Sequence, residues 1–491
     1  MTSYSLRAAN PAKTRAEAVV VGVVPGTKTP ELAPGAEAVG EAYGRRLRGL
    51  FATLGVTGRA GEVTRVPTGG TIASPLLVLV GIGGDVTPDA VRAAAGNAAR
   101  AVGNAVSVAL ALPADSPALV RAVAEGHRLG SYTFTRYRSK GEPKPPADVI
   151  VLSGSAKKAS VVAAFEEAHV VADAVVATRD WVNVTAADLT PPVFADEVVQ
   201  AVKAAKGIKA TVLDEARLAE MGCGGLLAVA AGSAMPPRMV ELSYAPRGAK
   251  THLALVGKGI TYDTGGLTIK TPGGMPDMKC DMSGAAAVVQ ATIAIARLGL
   301  PVRVSAFVPM AENMIGAAAM RPGDVITHYG GTTTEMVNAD AEGRLILADA
   351  LVRAVEAKPD AIIDVATLTG PMVTALGDKI TGVLGTDAMV AAVLDAAREA
   401  GEESWPMPIP EQMGERVTSS KVADLAQHDW VRWGSGLFAA AFLREFTGGL
   451  PWAHLDIAGP AFHHGGAYGH FTPGGTGTAV ATLVAYARRV A

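Results

Sequence analysis

The sequence predicts an α/β fold in two domains: an N-terminal α/β domain and a C-terminal α/β domain with a mixed central sheet. Three observations carry this. The chain has 491 residues, well past the roughly 250–300 at which a single hydrophobic core stops growing. Short apolar runs alternate with helical patterns on both sides of position 160. Between those two stretches, residues 161–182 (VVAAFEEAHVVADAVVATRDWV) form one long helical pattern free of Gly and Pro.

The elements follow in order. Ala18–Val24 (AVVVGVV), Leu76–Val80, Val106–Leu112 and Val149–Leu152 read as buried strands. The intervening Gly40–Leu54, Pro88–Val102 and Ser116–Leu129 read as helices. The long pattern ends near Thr190-Pro191-Pro192, where the prolines invite a break or a new helix start. The expected organisation is therefore an N-terminal domain over 1–160, a connecting helix over 161–184 and a second domain over 185–491. In that second domain Ala210–Leu213, Met239–Tyr244, Leu253–Val256, Val302–Val308, Thr334–Val337 and Ala361–Val365 read as strands. Ser283–Leu298, Arg344–Ala357 and Ala388–Ala400 read as helices.

Composition excludes several function classes. With 49% apolar residues and few aromatics the chain is globular, not disordered. The formal charge of −2 and the absence of a basic stripe argue against nucleic acid or anionic lipid as a partner. Only Arg45-Arg46-Leu47-Arg48 and the scattered Arg136–Lys144 group offer local positive charge. Two cysteines, Cys223 and Cys280, are too few for a disulfide scaffold and point to a reducing compartment, the cytoplasm. The N-terminus lacks the apolar core of a secretory signal. The longest uncharged stretch, Ile457 to Ala487, holds three histidines, two prolines and many glycines, so it is no membrane helix.

Two segments concentrate charge in apolar surroundings. One runs from Lys258 through Asp263 and Lys270 to Asp281; the other is Asn338-Ala339-Asp340-Ala341-Glu342-Gly343-Arg344. Lys258 and Asp263 follow the apolar run LALV directly, and the carboxyl ends of strands form the ligand crevice of an α/β sheet. Four acidic groups in one crevice repel one another unless positive charge sits among them, and hard divalent cations supply it. Taken singly, each Asp is more often a helix cap or turn former and each Lys a solvated surface group. No HExxH and no GxxxxGK[ST] occurs, which disfavours a thermolysin-like site and a P-loop. His463, His464 and His470 lie in a Gly/Pro-rich loop and are given no ligand role.

The joint spacing of Lys258, Asp263, Lys270, Asp281, Asp340, Glu342 and Arg344 resembles the leucyl aminopeptidase (M17) family in type, order and gap. NADAEGRL is similar to that family's signature NTDAEGRL. So are residues 219–242, Glu312-Asn313-Met314, Arg321-Pro322-Gly323-Asp324, Ala366–Gly370, Trp452–Gly459 and Thr476-Gly477. The resemblance covers residues 185–491 and is weak over the first third. Ala339 stands where the family usually has Thr, and Pro371 where a small residue is commoner.

The resemblance implies a macro-like N-terminal domain and a catalytic C-terminal domain that removes N-terminal residues, Leu and similar, from peptides. It implies two divalent ions per subunit, Zn²⁺ or Mn²⁺ with Mg²⁺ a third option. One would be held by Asp263, Asp340 and Glu342, the other by Lys258, Asp263, Asp281 and Glu342. Lys258 would then act as a neutral amine. Deprotonating an ordinary lysine at neutral pH costs about 4–5 kcal/mol, which an adjacent dication can offset. Lys270 corresponds to the catalytic lysine, and Arg344 to the residue that holds bicarbonate. Met278, Asn338, Thr367, Leu368 and Gly370 match positions that line the substrate site. A homohexamer is implied as well. A dipeptidase acting on Cys-Gly would share every ligand, and a regulatory DNA-binding protein could share the fold.

Overall fold

Strands that read as unbroken apolar runs are those buried on both faces. The computed structural model describes residues 2–140 and 145–491, so the end of the Arg136–Lys144 group lies outside the described residues. The chain forms two compact units. Residues up to Val176 together with His464–Pro473 make the first, and Ala177–His463 with Gly474–Ala491 the second.

The first unit is built on a sheet ordered Ser3–Arg7, Asp148–Leu152, Ser107–Ala111, Ala18–Val24, Leu76–Gly81, Val63–Pro67. All neighbours are parallel except the last pair, and the short Glu31–Leu32 adds antiparallel to Ala18–Val24. Side chains of Ala18–Val24 alternate between two cores: Ala18 and Val20 join one, Val19, Val21 and Val23 the other. The expected helix over Gly40–Leu54 is two helices, Glu37–Tyr43 and Arg46–Leu54. Gly44 separates them at φ 54, a left-handed conformation that ends the first helix. Pro88–Ala101 and Pro117–Gly130 start with Pro in their first turn, behind Thr87 and Ser116 caps. The long helical pattern is one helix, Ala159–Asn183, and the division between the units falls within it.

The second unit is built on a nine-stranded mixed sheet. Its order is Ser404–Pro406, Thr381–Gly385, Trp452–Asp456, Ala361–Ala366, His252–Gly257, Arg303–Asn313, Arg238–Tyr244, Ile208–Leu213, with Gly259–Asp263 also pairing Arg303–Asn313. The four central strands, Trp452–Asp456 to Arg303–Asn313, are parallel, so their carboxyl ends lie along one edge. Helices Ser283–Arg297 and Gly343–Glu356 pack on this sheet with almost wholly buried faces. The run expected as a strand over Thr334–Val337 is shorter, Thr333–Glu335. It pairs Val325–Thr327 and Leu425–Ala426 in a separate three-stranded sheet. Asp340 and Glu342 therefore leave a satellite sheet by a loop and not the end of a central strand. Among the described residues no helix is long and apolar enough to cross a membrane.

Candidate active site

The carboxyl ends of the parallel strands supply the first residues. Lys258 follows His252–Gly257, and its backbone N–H donates to Val365 O at 3.0 Å, which fixes where the side chain departs. Gly259–Asp263 pairs in parallel with the far end of Arg303–Asn313, setting Asp263 opposite Asn313. Thr367 follows Ala361–Ala366. Asp281 closes the short 3₁₀ turn Met278–Cys280, just before helix Ser283–Arg297. Glu342 is the N-cap residue of helix Gly343–Glu356, and Arg344 lies in that helix's first turn.

These side chains meet in one buried cluster. Lys258 Nζ lies 2.8 Å from both Asp281 Oδ1 and Glu342 Oε1, and donates to Thr367 O at 2.9 Å. Lys270 Nζ lies 2.8 Å from Asp263 Oδ2 and 2.5 Å from Asp340 Oδ1. Asp263, Asp340 and Glu342 can each present an oxygen within 4.8 Å of the others, an arrangement able to hold a metal ion. Lys258, Asp263 and Glu342 are essentially inaccessible to solvent, whereas Lys270 is partly open.

Charge in this cluster is unbalanced. Four carboxylates face two ammonium groups in a setting where solvent screens little. Burial, followed by Glu342 and Asp281, pushes Asp263 well above the usual carboxylate range. Burial raises Asp281 too, though Lys258 opposes it. Burial would also raise Glu342, but Lys258 and Lys270 hold it below its ordinary value. For both lysines burial favours the neutral amine and is overridden, by Asp281 and Glu342 at Lys258 and by Asp263 and Glu342 at Lys270. Both are ammonium groups while the carboxylates have no other counter-charge. Asp281 Oδ2 is buried and accepts no hydrogen bond. A buried carboxylate oxygen with no donor, in a cluster with surplus negative charge, fits a divalent cation.

Arg344 stands apart from the lysines. Burial pushes its guanidinium down to about 10, against the opposing pull of Glu342, Asp456 and Asp429. It donates from Nη1 to Gln427 O at 2.8 Å and lies 5.8 Å from the Phe438 ring centre, while its Nε is buried without a partner. A buried guanidinium edge with a free donor fits a planar oxyanion.

Of the positions read from the sequence as substrate-lining, Thr367 is tied into the cluster, donating from Oγ1 to Asp281 Oδ1 at 2.7 Å. Asn338 Oδ1 accepts from Asp340 N at 2.9 Å. Met278 opens the 3₁₀ turn that delivers Asp281 and is half-buried. Leu368 and Gly370 stand further along the same loop, with Leu368 N donating to Asp456 Oδ1 at 3.3 Å and Gly370 exposed at a helix start. Two residues that hold the site were given no role in it by the sequence reading, although Asn313 lies in one of the family-like segments. Asn313 donates from Nδ2 to Asp263 Oδ1 at 2.7 Å and to Ala339 O at 2.9 Å. Gln427 donates to Asn338 O and Ala341 O, and its Oε1 accepts from Asn338 N.

The catalytic-domain model of the cytosol aminopeptidase family matches residues 176–484. The model of that family's N-terminal domain matches residues 20–141. The chain belongs to the cytosol aminopeptidase family. As a member of this family, peptidase family M17, it is an aminopeptidase and a hydrolase. A probable cytosol aminopeptidase of Streptomyces coelicolor is 48% identical, covering 100% of this chain and 99% of that protein. One from Micrococcus luteus is 44% identical, with coverage of 96% and 95%. Among solved structures, a tomato leucine aminopeptidase mutant matches with a TM-score of 0.90 at 30% identity, covering 100% of this chain and 97% of that one. The bottromycin maturation enzyme BotP in complex with Mn matches with a TM-score of 0.85 at 39% identity, covering 96% and 99%.

Proposed function

We propose that this aminopeptidase is a metal-dependent leucyl aminopeptidase that hydrolyses the first peptide bond of peptides with free N-termini. The observation that carries the reading is the charge surplus of the buried cluster, where Asp281 Oδ2 has no donor and only two lysines face four carboxylates. Asp263, Asp340 and Glu342 would hold one divalent ion, and Lys258, Asp263, Asp281 and Glu342 a second. Two such ions would supply an activated water and polarise the scissile carbonyl. Mixed amine and carboxylate donors suit Zn²⁺ and Mn²⁺, and the Mn-bound relative supports manganese.

The chain's own residues do the rest. Lys258 would give up its proton to serve as a ligand, and Asp281 and Glu342 at 2.8 Å keep its nitrogen aimed at the cluster. Lys270, partly open to solvent, remains an ammonium and would stabilise the negative charge that develops on the carbonyl oxygen. Arg344 would hold bicarbonate through its free Nε edge, and that anion would supply a proton acceptor. Asn338, Met278, Thr367, Leu368 and Gly370 would line the pocket for the departing residue. Apolar pockets separate neighbouring side chains by about 1–3 kcal/mol per methylene, so Leu preference with broad tolerance is expected. The relatives' description as cytosol aminopeptidases supports a cytoplasmic enzyme, and we extend the reading to a homohexamer.

The test is hydrolysis of leucine p-nitroanilide after chelation, then with added Mn²⁺ or Zn²⁺. Activity lost to chelator, restored by metal and absent on N-acetyl-leucine p-nitroanilide is the expected result. Activity that survives exhaustive chelation, or that accepts the acetylated substrate, refutes the reading. Cleavage of Cys-Gly in strong preference to leucyl substrates turns it toward a dipeptidase.

A further inference from the structure

The loop between Leu425–Ala426 and helix Ser435–Arg444 contains two indoles for which the hydrolytic chemistry has no use. It hangs from the site itself. Gln427 is bonded to Asn338 and Ala341, and Gln427 O accepts from Arg344. It is also braced further along. Asp429 receives Arg416 Nε at 2.6 Å and Nη2 at 2.9 Å, and its Oδ1 accepts from Val431 N at 3.1 Å. Trp430 takes φ 59 and Gly434 φ 70, so the turn is held in a left-handed conformation that side chains rarely adopt. On this fixed loop Trp430 is 61% and Trp433 75% exposed.

A row of rings leads from Arg344 to the first of these indoles. Phe438 lies 5.8 Å from the Arg344 guanidinium, His428 lies 6.4 Å from Phe438, and Trp430 meets His428 edge-on at 4.9 Å. Large exposed aromatics on a braced loop that also carries a residue bonded into the reaction site mark a surface that binds. An aminopeptidase admits one residue on the amino side of the scissile bond. Every further residue of a peptide lies on the leaving side, so a surface outside the crevice that touches a longer peptide reads those residues.

We propose that Trp430 and Trp433 form an aromatic platform for peptide residues C-terminal to the scissile bond, favouring substrates with aromatic or bulky apolar residues there. The proposal rests on the aminopeptidase reading above. Indole faces accept any flat or bulky apolar side chain, so the platform selects by size and apolarity and not by a single residue type.

The experiment compares kcat/KM for Leu-Gly-Gly, Leu-Gly-Phe and Leu-Gly-Gly-Phe, each divided by that for leucinamide, which has no residue beyond the scissile bond. The 491-residue chain with Mn²⁺ should favour the Phe peptides over Leu-Gly-Gly by about 3- to 10-fold, the size of one aromatic pairing. In the double variant Trp430→Ala/Trp433→Ala that ratio should fall to about 1, and Trp430→Phe/Trp433→Phe should keep most of it. Absence of the preference in the natural sequence, or its survival in the double alanine variant, overturns the proposal. So does a double alanine variant that keeps the preference while its native mass falls, which would make the indoles a contact between copies. Failure to cleave leucinamide and every peptide would overturn the aminopeptidase reading, and the platform with it.

Discussion

Adding a single methyl group at Gly343 should disable the site without unfolding the chain. A Cβ at this position would sit 2.6 Å from Lys258 Cε, 2.8 Å from Nζ and 2.9 Å from Cδ. Gly343 is the first residue of helix Gly343–Glu356 and its φ is not positive, so alanine fits the backbone and favours the helix by roughly 0.5–1 kcal/mol. The entire effect falls on Lys258. Ordinary contact between carbon atoms is about 3.5–4.0 Å, so the end of that side chain must move by about 1 Å. It has nowhere neutral to go, being 2% exposed and fixed by Asp281, Glu342 and Thr367 O. Overpacking costs about 1–3 kcal/mol, partly offset by the helix gain, so the melting temperature should shift by only a few degrees. Displacing a site group by about 1 Å costs up to roughly 100-fold in rate. Gly343→Ala should therefore lose about 100-fold in kcat/KM on leucine p-nitroanilide and retain less than its full metal content after dialysis. Gly49→Ala, where an added methyl meets nothing, serves as the control. A Gly343→Ala protein with full metal content and a rate within twofold of the parent would show that Lys258's position does not govern the site.

Lys270→Ala should keep its metals, since it removes the positive charge beside Asp263 and Asp340, yet lose about 100- to 1000-fold in kcat; metal analysis and steady-state kinetics on one sample check both. Asp340→Ala should abolish turnover at any Mn²⁺ or Zn²⁺ concentration, read as hydrolysis across a metal titration. Asn313→Ala removes the amide that orients Asp263 and should weaken metal retention by about 10- to 100-fold, measured against a competing chelator. In the N-terminal unit burial pushes His127 down to about 3 and His169 to about 4, where Tyr4 and Phe165 pack around them and Arg128 and Asp173 are the nearby charges. An unfolded histidine takes a proton below about 6.5 and the buried one does not. The stability is thus complete above pH 6.5 and is lost as pH falls toward 3, about 2–3 kcal/mol from His127 by pH 4.5. His127→Gln should flatten that decline in melts recorded from pH 7 to 4.5; an unchanged slope would refute the assignment.

Legibility of the fold followed burial. Runs such as LALV and AVVVGVV are unbroken because both sheet faces are covered, and their periodicity needs no tertiary information. Trp452–Asp456 is as deeply buried, but WAHLD carries two polar residues and did not read as a strand. Its histidine is satisfied only across the sheet: His454 Nδ1 meets Asp364 Oδ1 at 2.6 Å, and Trp452 Nε1 donates to Asp364 Oδ2 at 2.6 Å. A polar group paired with a residue 90 positions away leaves no local signature. The same holds for His464–Pro473. A glycine-rich loop sequence says nothing about its packing in the first unit, where the Gly469 backbone passes so close to Gly96 that a Cβ there would come within 2.3 Å of Gly469 O.

The site divides along a different line. Lys258, Asp263, Asp281, Asp340 and Glu342 stand out in the sequence because a charge next to an apolar strand or helix is conspicuous, and each of them does meet the others in the cluster. The groups that aim them are neutral amides and hydroxyls, abundant anywhere in a chain and distinctive nowhere. Thr367 shows the difference. The family resemblance alone marked it as lining the substrate site, while the hydrogen bonds that tie its hydroxyl to Asp281 and its carbonyl to Lys258 have no counterpart in the local sequence. Asn313 and Gln427 act in the same way on Asp263 and on the Asn338–Ala341 loop. Charge identifies what a site could do, while the direction of each charged group is set by hydrogen bonds between residues far apart in the chain. The arrangement also accounts for how the cluster stays assembled. Lys258 spans Asp281 and Glu342, and Lys270 spans Asp263 and Asp340, so each lysine joins two carboxylates that would otherwise repel. Replacing either lysine by a neutral residue leaves a pair of buried carboxylates without a cation, and their repulsion must then be relieved by protonation, by movement or by a bound ion.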